Sequence, residues 1–296
     1  MPLVNLETLL KDADEKGYAV PEFNTDNIEI TQAILEGAME ESSPIIIGVG
    51  QGAIKDGKLE PLAAIIKDYA NSTTIPIALH LDHSKSYEQV IKCLTLGFTS
   101  IMIDGSELPL NENIALTNKV VEVCKALGVS VEAELGTIGG VEDDIVIGED
   151  EANLVDIEDV KAFVNEVDID ALAVAIGSAH GMYKKEPKLA LDLLKEINTL
   201  TSVPLVLHGG SGIPKESVQQ AISLGINKVN FGTELRIAFI AGLSDAIAEN
   251  KEIYAMFESG RQKVKKLIKQ KIDLCRSNNM AEGFNNKLVM TGGSNK

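Results

Sequence analysis

Four histidines are the residues of this 296-residue chain best suited to chemistry, and each stands near the end of a short apolar run. Imidazole nitrogens are common ligands of divalent metals, and three of them with one open position form a typical catalytic zinc centre. We predict that His83, His180 and His208 bind one divalent ion, with Zn²⁺ expected, while His80 lies lower on its strand. For any single histidine, the ordinary alternative is a hydrogen-bonded core residue.

Carboxylates accompany these histidines. Asp82 precedes His83 and is the best acid/base candidate, because a carboxylate near a dication can share a proton with a substrate oxygen. Asp104 and Glu134 end two further apolar runs. They could orient the histidines or hold a second metal, and their alternative role is that of solvated strand-end carboxylates.

Two glycine-rich segments, 208–212 (HGGSG) and 230–233 (NFGT), follow the last two apolar runs. Successive backbone N–H groups in such a turn before a helix can form a nest for an anion. Tight turns also require glycine, so either segment alone is weak evidence. Together, and beside a metal, they predict a phosphorylated substrate, which an acidic protein can bind through a local nest and a cation.

The elements that would position these residues alternate regularly along the chain. Eight short apolar runs rich in Val, Ile and Leu are separated by amphipathic helical patterns, which predicts an α/β fold, a (β/α)₈ TIM barrel. An open doubly wound sheet is the second choice, weakened because no GxGxxG follows the first run. The runs are Tyr18–Phe23, Ile45–Val49, Pro76–Leu81, Ser100–Ile103, Ser130–Glu134, Leu172–Ile176, Pro204–Leu207 and Lys228–Phe231.

Two more helical patterns, Glu234–Asn250 and Tyr254–Cys275, exceed what a barrel needs and predict a C-terminal helical extension. We expect a single domain over residues 1–277 and a flexible tail over 278–296, which is polar and Gly-rich.

Composition limits the possible partners and the compartment. The chain has 27 Lys and Arg against 44 Asp and Glu, a net charge of −17, which argues against nucleic acid and anionic membranes as partners. No signal-peptide pattern and no apolar run of about 18 residues is seen. Three widely separated cysteines indicate reduced structural thiols rather than disulfides or a metal site, so we expect a cytoplasmic protein.

Five motifs together resemble those of the class II, metal-dependent ketose-bisphosphate aldolases. They are 80–83 (HLDH), 130–136 (SVEAELG), 139–144 (GGVEDD), 175–183 (AIGSAHGMY) and 207–212 (LHGGSG). The resemblance runs from Gly17 to Lys271. The segments 172–177 and 233–235 look closer to the tagatose-bisphosphate branch than to the fructose branch.

This resemblance implies zinc-dependent, reversible cleavage of a ketose bisphosphate to dihydroxyacetone phosphate and glyceraldehyde 3-phosphate. It implies one zinc per subunit at His83, His180 and His208, Asp82 as proton donor and acceptor, and Glu142 as the base at C3. It also implies a homodimer or homotetramer and a monovalent cation (Na⁺ or K⁺) near the phosphate. Whether an activating subunit is needed stays open. The implied phosphate-binding residues are Gly181, Gly209, Gly210, Ser211, Asn230, Phe231, Gly232 and Thr233.

One departure from the family pattern concerns the distal phosphate. Family members commonly carry Asp-Pro-Arg before the last helix, where this chain has Glu252-Ile253-Tyr254, and Arg261 falls at another motif position. Gly232 also replaces a larger residue. An aldolase of a ketose 1-phosphate without the distal phosphate therefore stays open, as does the choice between tagatose and fructose.

Other functions stay open at this point. A metal hydrolase or a non-catalytic sugar-phosphate-binding protein could be built on the same barrel. A Schiff-base aldolase would need a buried strand lysine, and Lys228 is the only lysine within the predicted strands.

Overall fold

The computed structural model describes residues 3–142, 145–147, 153–183 and 186–284. Eight parallel strands form a barrel: β1 (Val20–Asn24), β2 (Ile45–Val49), β3 (Ile77–Ser84), β4 (Ser100–Ile103), β5 (Ser130–Leu135), β8 (Ala171–Val174), β10 (Leu205–Leu207) and β11 (Ile226–Phe231). Their order around the barrel is β1-β11-β10-β8-β5-β4-β3-β2. The sheet closes because β1 pairs with β2 on one side and with β11 on the other. The predicted (β/α)₈ barrel is confirmed, and the open sheet is excluded.

Helices surround the barrel, and most of them bury an apolar face against the strands or against neighbouring helices. Within the part of the chain described here they are α1 (Leu6–Lys16), α2 (Ile28–Glu40), α3 (Gln51–Lys55), α4 (Leu59–Ser72), α5 (Tyr87–Thr95), α6 (Leu110–Ala126), α7 (Ile157–Glu166), α8 (Leu191–Leu200), α9 (Lys215–Ser223), α10 (Thr233–Ala248) and α11 (Ile253–Leu274). Among them, no helix combines the length and the apolar character that crossing a bilayer requires.

Several features were not predicted. The helices α1, α3 and α4 match none of the helical patterns found in the sequence, and a small sheet forms from β6 (Gly139–Glu142), β7 (Ile145–Ile147) and β9 (Ala179–His180). The strands β6 and β7 are antiparallel, and β6 is parallel to β9. Short strands that pair only with one another leave little periodic signal in a sequence.

The barrel interior is layered. Side chains alternate between the inside and the outside of each strand, so every second residue faces the axis. The layer at the strand starts is apolar and includes Val20, Ile46, Ala78 and Val206, all buried in one cluster with α1. Two residues further along β1 and β3, at the next positions that face the axis, lie Glu22 and His80, which are polar and fully buried. The interior therefore changes from apolar to charged toward the strand ends.

The helix α1 closes the apolar end of the barrel. Leu6, Leu9 and Leu10 are fully buried in the same cluster as the first inward residues of the strands. Asn5 caps the helix by accepting a hydrogen bond from Thr8 N, and Gly17 ends it with φ +70°. The left-handed conformation at this position suits glycine, which lacks a Cβ.

The C-terminal extension consists of α10 and α11. These helices approach closely where Gly242 meets Gly260, since a Cβ on Gly242 would lie 2.5 Å from the Cα of Gly260. The helix α11 also packs on α2, where a Cβ on Gly37 would meet the side chain of Ile268 at 2.8 Å. The extension thus packs mainly on the outer helices and reaches the barrel at Phe231, whose ring lies 4.9 Å from Lys271 Nζ.

The predicted flexible tail begins at residue 278, but the chain stays on the barrel beyond it. Asn279 N and Ala281 N donate to the carbonyls of Glu41 and Ser42, both at 2.9 Å, and Phe284 is buried. These contacts hold residues 278–284 in place. The rest of the predicted tail, 285–296, lies outside the described residues.

The cluster under the barrel predicts a stability effect at the end opposite the histidines. Leu9→Ala removes a fully buried side chain and should lower the free energy of unfolding by about 2–5 kcal/mol. Urea unfolding measures it. Leu127→Ala, whose side chain is 61% exposed, is the control and should change stability by no more than about 0.5 kcal/mol. A loss for Leu9→Ala as small as the control's would contradict the packing described here.

Candidate metal centre and active site

The strand β3 carries an irregularity that brings Asp82 and His83 to the same place. Leu81 pairs with Ile101 and Ser84 with Ile103, so β3 uses one residue more than β4 over this stretch. This is a β-bulge, and His83 adopts φ +49° within it. Neighbouring residues in a regular strand face opposite sides. The bulge lets both side chains face the barrel mouth, with 3.9 Å between Asp82 Oδ1 and His83 Nε2.

Three histidines from different elements meet at this mouth. His83 lies on β3, His180 on β9, and His208 directly after β10, and all three are buried. Their ring centroids lie 4.6 Å apart for His83 and His208, 4.9 Å for His83 and His180, and 5.9 Å for His180 and His208. One nitrogen from each ring lies within 4.8 Å of the others. The structure thus brings together the three predicted ligands.

Carboxylates orient two of these rings. Asp104 Oδ2 lies 3.1 Å from His83 Nδ1, and Glu132 Oε1 lies 2.9 Å from His208 Nε2. The remaining nitrogens, His83 Nε2 and His208 Nδ1, are 2.9 Å apart. If each ring donates its far N–H to its carboxylate, two lone pairs face each other and repel unless a proton or a metal ion is shared. Two imidazoles on one tetrahedral zinc place their nitrogens about 3.3 Å apart, so the donors fit a divalent ion.

The electrostatics of the site also favour a cation. Burial alone lowers the pKa of His83, but Asp82 and Asp104 outweigh burial and raise that pKa well above its usual value. Burial raises the pKa of Asp104, yet hydrogen bonds with His83 and Ser106 lower it overall. Burial raises the pKa of Glu134 well above normal, and the charge of Asp104 adds to this effect. A positive charge among these groups would therefore be stabilised.

Asp104 and Glu134 also form a second group of possible ligands with His83, with ligand atoms within 4.8 Å. Ser106 donates to Asp104 Oδ1 from its backbone N at 3.1 Å and from its hydroxyl at 2.7 Å. Asp104 thus presents its other oxygen to His83. Both predicted carboxylates lie beside the histidines rather than in solvent.

Asp82 is held by two amides that sequence reasoning did not select. Asn24 Nδ2 donates to Asp82 Oδ2 at 3.0 Å, and Asn230 Nδ2 donates to Oδ1 at 3.4 Å. The backbone carbonyl oxygen of Asp82 accepts a hydrogen bond from Gln51 Nε2 at 2.9 Å. The carboxylate is therefore fixed in orientation beside His83, which is the geometry that a proton-transfer group needs.

The glycine-rich loops lie next to the histidines. Gly209 has φ +65°, and a Cβ there would lie 2.3 Å from the carbonyl oxygen of Ala179, so only glycine fits. Tyr183 ties the two loops together, because its hydroxyl accepts from Ala179 N at 2.8 Å and donates to Gly209 O at 2.9 Å. Gly181 has φ +87° in the loop after His180.

Other predicted phosphate residues surround the start of α10. Thr233 begins this helix, with Gly232 as its preceding cap residue, and Ser211 Oγ accepts from Glu234 N at 3.4 Å. Gly210 N donates to Asn230 O at 3.0 Å, so this N–H already has a partner within the protein. The Phe231 ring is buried 6.0 Å from that of Phe23, which leaves only its backbone to meet a ligand.

The strand β9 ties His180 to the segment that carries Glu142. Gly140 pairs with His180 in the small sheet, and the same strand β6 ends at Glu142. The backbone of Glu142 is thus placed, whereas its side chain lies outside the described part of the molecule. Gly140 has φ +107°, and a Cβ there would lie 2.1 Å from His180 O.

Charged residues inside the barrel were missed as functional candidates. Glu22, Glu132 and Lys228 are fully buried below the histidines, and Lys228 Nζ bridges the two carboxylates. Each stands within an apolar strand run, at a position that faces the axis. A charged residue at such a position is the sequence signal that could have identified them.

Comparisons with known proteins agree with this site. The family model described as fructose-bisphosphate aldolase class-II matches residues 4–280. The chain belongs to this family. The class II aldolases are lyases that act on phosphorylated sugars and triose phosphates, and membership implies a divalent metal.

Individual relatives cover almost the whole of this class II aldolase. A fructose-bisphosphate aldolase of Staphylococcus aureus is 44% identical over 290 residues, covering 95% of this chain and 100% of the relative. A sulfofructosephosphate aldolase of Alkalicoccus urumqiensis is 41% identical over 287 residues, covering 96% and 100%. The crystal structure of the YdjI aldolase from Escherichia coli K12 is 33% identical, with a TM-score of 0.85 and coverage of 95% and 100%.

The link between β6 and β9 predicts that Gly140→Ala weakens metal binding by this aldolase. A Cβ in contact with His180 O would displace the strand that carries this histidine, so zinc affinity should fall at least about tenfold. Competition with a chromophoric chelator measures the affinity. Gly17→Ala is the control, since it has φ +70° in open space and should cost only about 1–2 kcal/mol of stability. Equal zinc affinities for both variants would contradict this link.

Proposed function

We propose that this class II aldolase reversibly cleaves a ketose 1,6-bisphosphate of the fructose or tagatose series to dihydroxyacetone phosphate and glyceraldehyde 3-phosphate. The observation that supports it most is the convergence of three buried imidazoles beside an oriented carboxylate at the mouth of a closed barrel. A metal hydrolase would also use three histidines. Family membership over residues 4–280 favours the aldolase.

The proposed metal ligands are His83, His180 and His208, with one Zn²⁺ per subunit. The donor set of three imidazoles, two with their outer nitrogens on carboxylates, suits zinc. When bound, the metal supplies Lewis-acid stabilisation of negative charge that develops on the substrate oxygens. Asp104 and Glu134 are proposed to orient His83, and a second ion at these carboxylates is the alternative.

The protein's own groups would move the protons. In cleavage, Asp82 accepts the proton of the C4 hydroxyl as the C3–C4 bond breaks and C4 becomes the aldehyde carbon. The electron pair of the broken bond stays on the C3 fragment, and Glu142 is proposed to deliver a proton to C3. Asn24 and Asn230 keep the Asp82 oxygens in place throughout. Addition follows the reverse order.

The phosphate of the dihydroxyacetone half is proposed to bind at the glycine-rich loops after β10 and β11. Backbone N–H groups and the N-terminal end of α10 favour an anion there. The proposed contacts are Gly181, Gly209, Gly210, Ser211, Asn230, Phe231, Gly232 and Thr233. A Na⁺ or K⁺ ion beside this phosphate is also proposed, on the family resemblance alone.

The side chain expected to bind the distal end of the substrate differs here from the one usual in the family. Tyr254 stands in the first turn of α11 and is 85% exposed, at a place where the family usually has arginine. Arg261 instead binds Glu36 and Glu258 between α11 and α2. One relative is named a sulfofructosephosphate aldolase, so a sulfonated sugar phosphate is among the substrates named for relatives of this chain. A ketose 1-phosphate with another distal group is therefore the second candidate substrate.

A homodimer or homotetramer is proposed as the working form. The helix α10 exposes Ile237, Ile240 and Ile247, and Ile253 and Tyr254 are exposed at the start of α11. Such a patch of large apolar side chains is typical of a protein interface. An activating subunit is an alternative occupant, and light scattering of the pure protein separates the two. The buried, unpaired thiols of Cys93, Cys124 and Cys275 support a cytoplasmic location.

The aldolase proposal predicts metal-dependent formation of triose phosphates. We expect cleavage of fructose and tagatose 1,6-bisphosphates, compared by kcat/KM with their 1-phosphates and with sulfofructose phosphate. A chelator should abolish the activity, and Zn²⁺ should restore it, because the Lewis acid is lost and regained. Release of inorganic phosphate without triose phosphate would support the hydrolase instead. Full activity in excess chelator, with trapping by borohydride, would indicate Schiff-base chemistry.

Asp82→Ala should reduce kcat by at least about 10²-fold, the scale of a lost acid/base group, while zinc stays bound. Coupled assay of triose phosphate and metal analysis of the purified variant measure the two effects. Asp56→Ala removes an exposed carboxylate at the end of α3 and is the control. Unchanged turnover for Asp82→Ala would refute its role and favour a binding protein or another base.

A further inference from the structure

Beneath His208 lies a fully buried carboxylate that the proposed reaction does not use. Glu132 Oε1 is 2.9 Å from His208 Nε2, and Lys228 Nζ donates to both Glu132 oxygens, at 2.9 Å and 2.7 Å. We propose that Glu132, clamped by Lys228, is a positioning residue that orients His208 and presents its Nδ1 to the metal. This inference rests on the proposed function, in which His208 is a metal ligand.

The hydrogen bonds around Glu132 determine which ring nitrogen carries the proton. Lys228 has only donors, so both Glu132 oxygens act as acceptors, and His208 Nε2 must donate to Oε1. The lone pair of the neutral ring then lies on Nδ1. This nitrogen is 2.9 Å from His83 Nε2, and Asn230 Nδ2, an amide donor, lies 3.3 Å from it. The amide donor of Asn230 is consistent with a lone pair at Nδ1, and the close approach of His83 Nε2 is the place where a shared cation would fit.

Lys228 gives Glu132 its fixed position. Its Nζ also lies 2.5 Å from Glu22 Oε2, so one ammonium joins carboxylates from β1 and β5 across the barrel. A Glu132 side chain held at both oxygens cannot turn, and a carboxylate that cannot turn fixes the imidazole bonded to it. Carboxylates that hold a metal-binding histidine typically change metal affinity 10–100-fold when they are lost.

Glu22 provides a matched control within the same network. Both glutamates are 0% exposed, and both bind Lys228. They differ in their contact with a proposed metal ligand. Glu132 Oε1 lies 2.9 Å from His208 Nε2, whereas Glu22 Oε2 lies 4.0 Å from Nε2 of His80, which is not a proposed ligand. Gly48 makes room for Glu22, because a Cβ there would lie 2.1 Å from Glu22 Oε1.

The experiment measures Zn²⁺ affinity of the metal-free full chain by competition with a chromophoric chelator. Glu132→Gln should weaken zinc binding 10–100-fold, since the amide cannot be an acceptor at both positions. Glu22→Gln should stay within about threefold of wild type, because it leaves the Glu132–His208 bond intact. Equal losses in both variants, or no loss for Glu132→Gln, would overturn the proposal.

Lys228→Met separates positioning from simple attraction of a cation. Removing a positive charge from the barrel makes the interior more negative and, by attraction alone, should tighten zinc binding. If the lysine acts by clamping Glu132, the variant should bind zinc about tenfold more weakly. Tighter binding by Lys228→Met would overturn the clamp.

A measurement on the wild type keeps the proposal testable if the variants do not fold. In the zinc-loaded protein, ¹⁵N chemical shifts of the four histidine rings report which nitrogen is protonated and which is metal-bound. We expect His208 with a proton on Nε2 and the metal on Nδ1, and the opposite assignment would overturn the inference. The proposed function is tested by a different result: it is contradicted if the wild-type enzyme binds no zinc or forms no triose phosphate.

Discussion

The structure at the histidine end of this barrel depends on two imidazole nitrogens, His83 Nε2 and His208 Nδ1, that face each other at 2.9 Å. Each belongs to a ring whose opposite nitrogen is bonded to a carboxylate, so both lone pairs point inward and repel in the absence of a cation. The neighbouring carboxylates add negative potential at the same point. A divalent ion bound there would remove the repulsion between the lone pairs and offset the negative potential. The family to which the chain belongs implies such an ion.

The barrel makes this arrangement possible by separating apolar from charged layers. The inward residues at the strand starts pack on α1, and the buried charged residues above them, Glu22, Glu132 and Lys228, are shielded from water by that layer. Burial, with the charge of Asp82, raises the pKa of Glu22 well above its usual value, and burial lowers the pKa of His80. For Lys228, burial is opposed and outweighed by Glu132 and Glu22, which raise its pKa.

Much of this could be predicted from the sequence, because parallel strands buried on both faces leave clear apolar runs. All eight barrel strands coincide with predicted runs, and the placement of the histidines at strand ends indicated where the site lies. The interior role of Glu132 and Lys228 could not be read in the same way, since it depends on the register between β5 and β11 across the barrel. The small sheet was missed because β9 has only two residues and is defined by its pairing with β6.

The bulge in β3 ties two chemical tasks to one covalent unit. Because the proposed proton-transfer residue, Asp82, and the proposed metal ligand, His83, occupy consecutive positions, a shift of the backbone there would move both together, and their mutual spacing would hardly change. Substitutions that adapt the site to another sugar are therefore expected outside β3, where they leave the spacing between Asp82 and His83 unchanged.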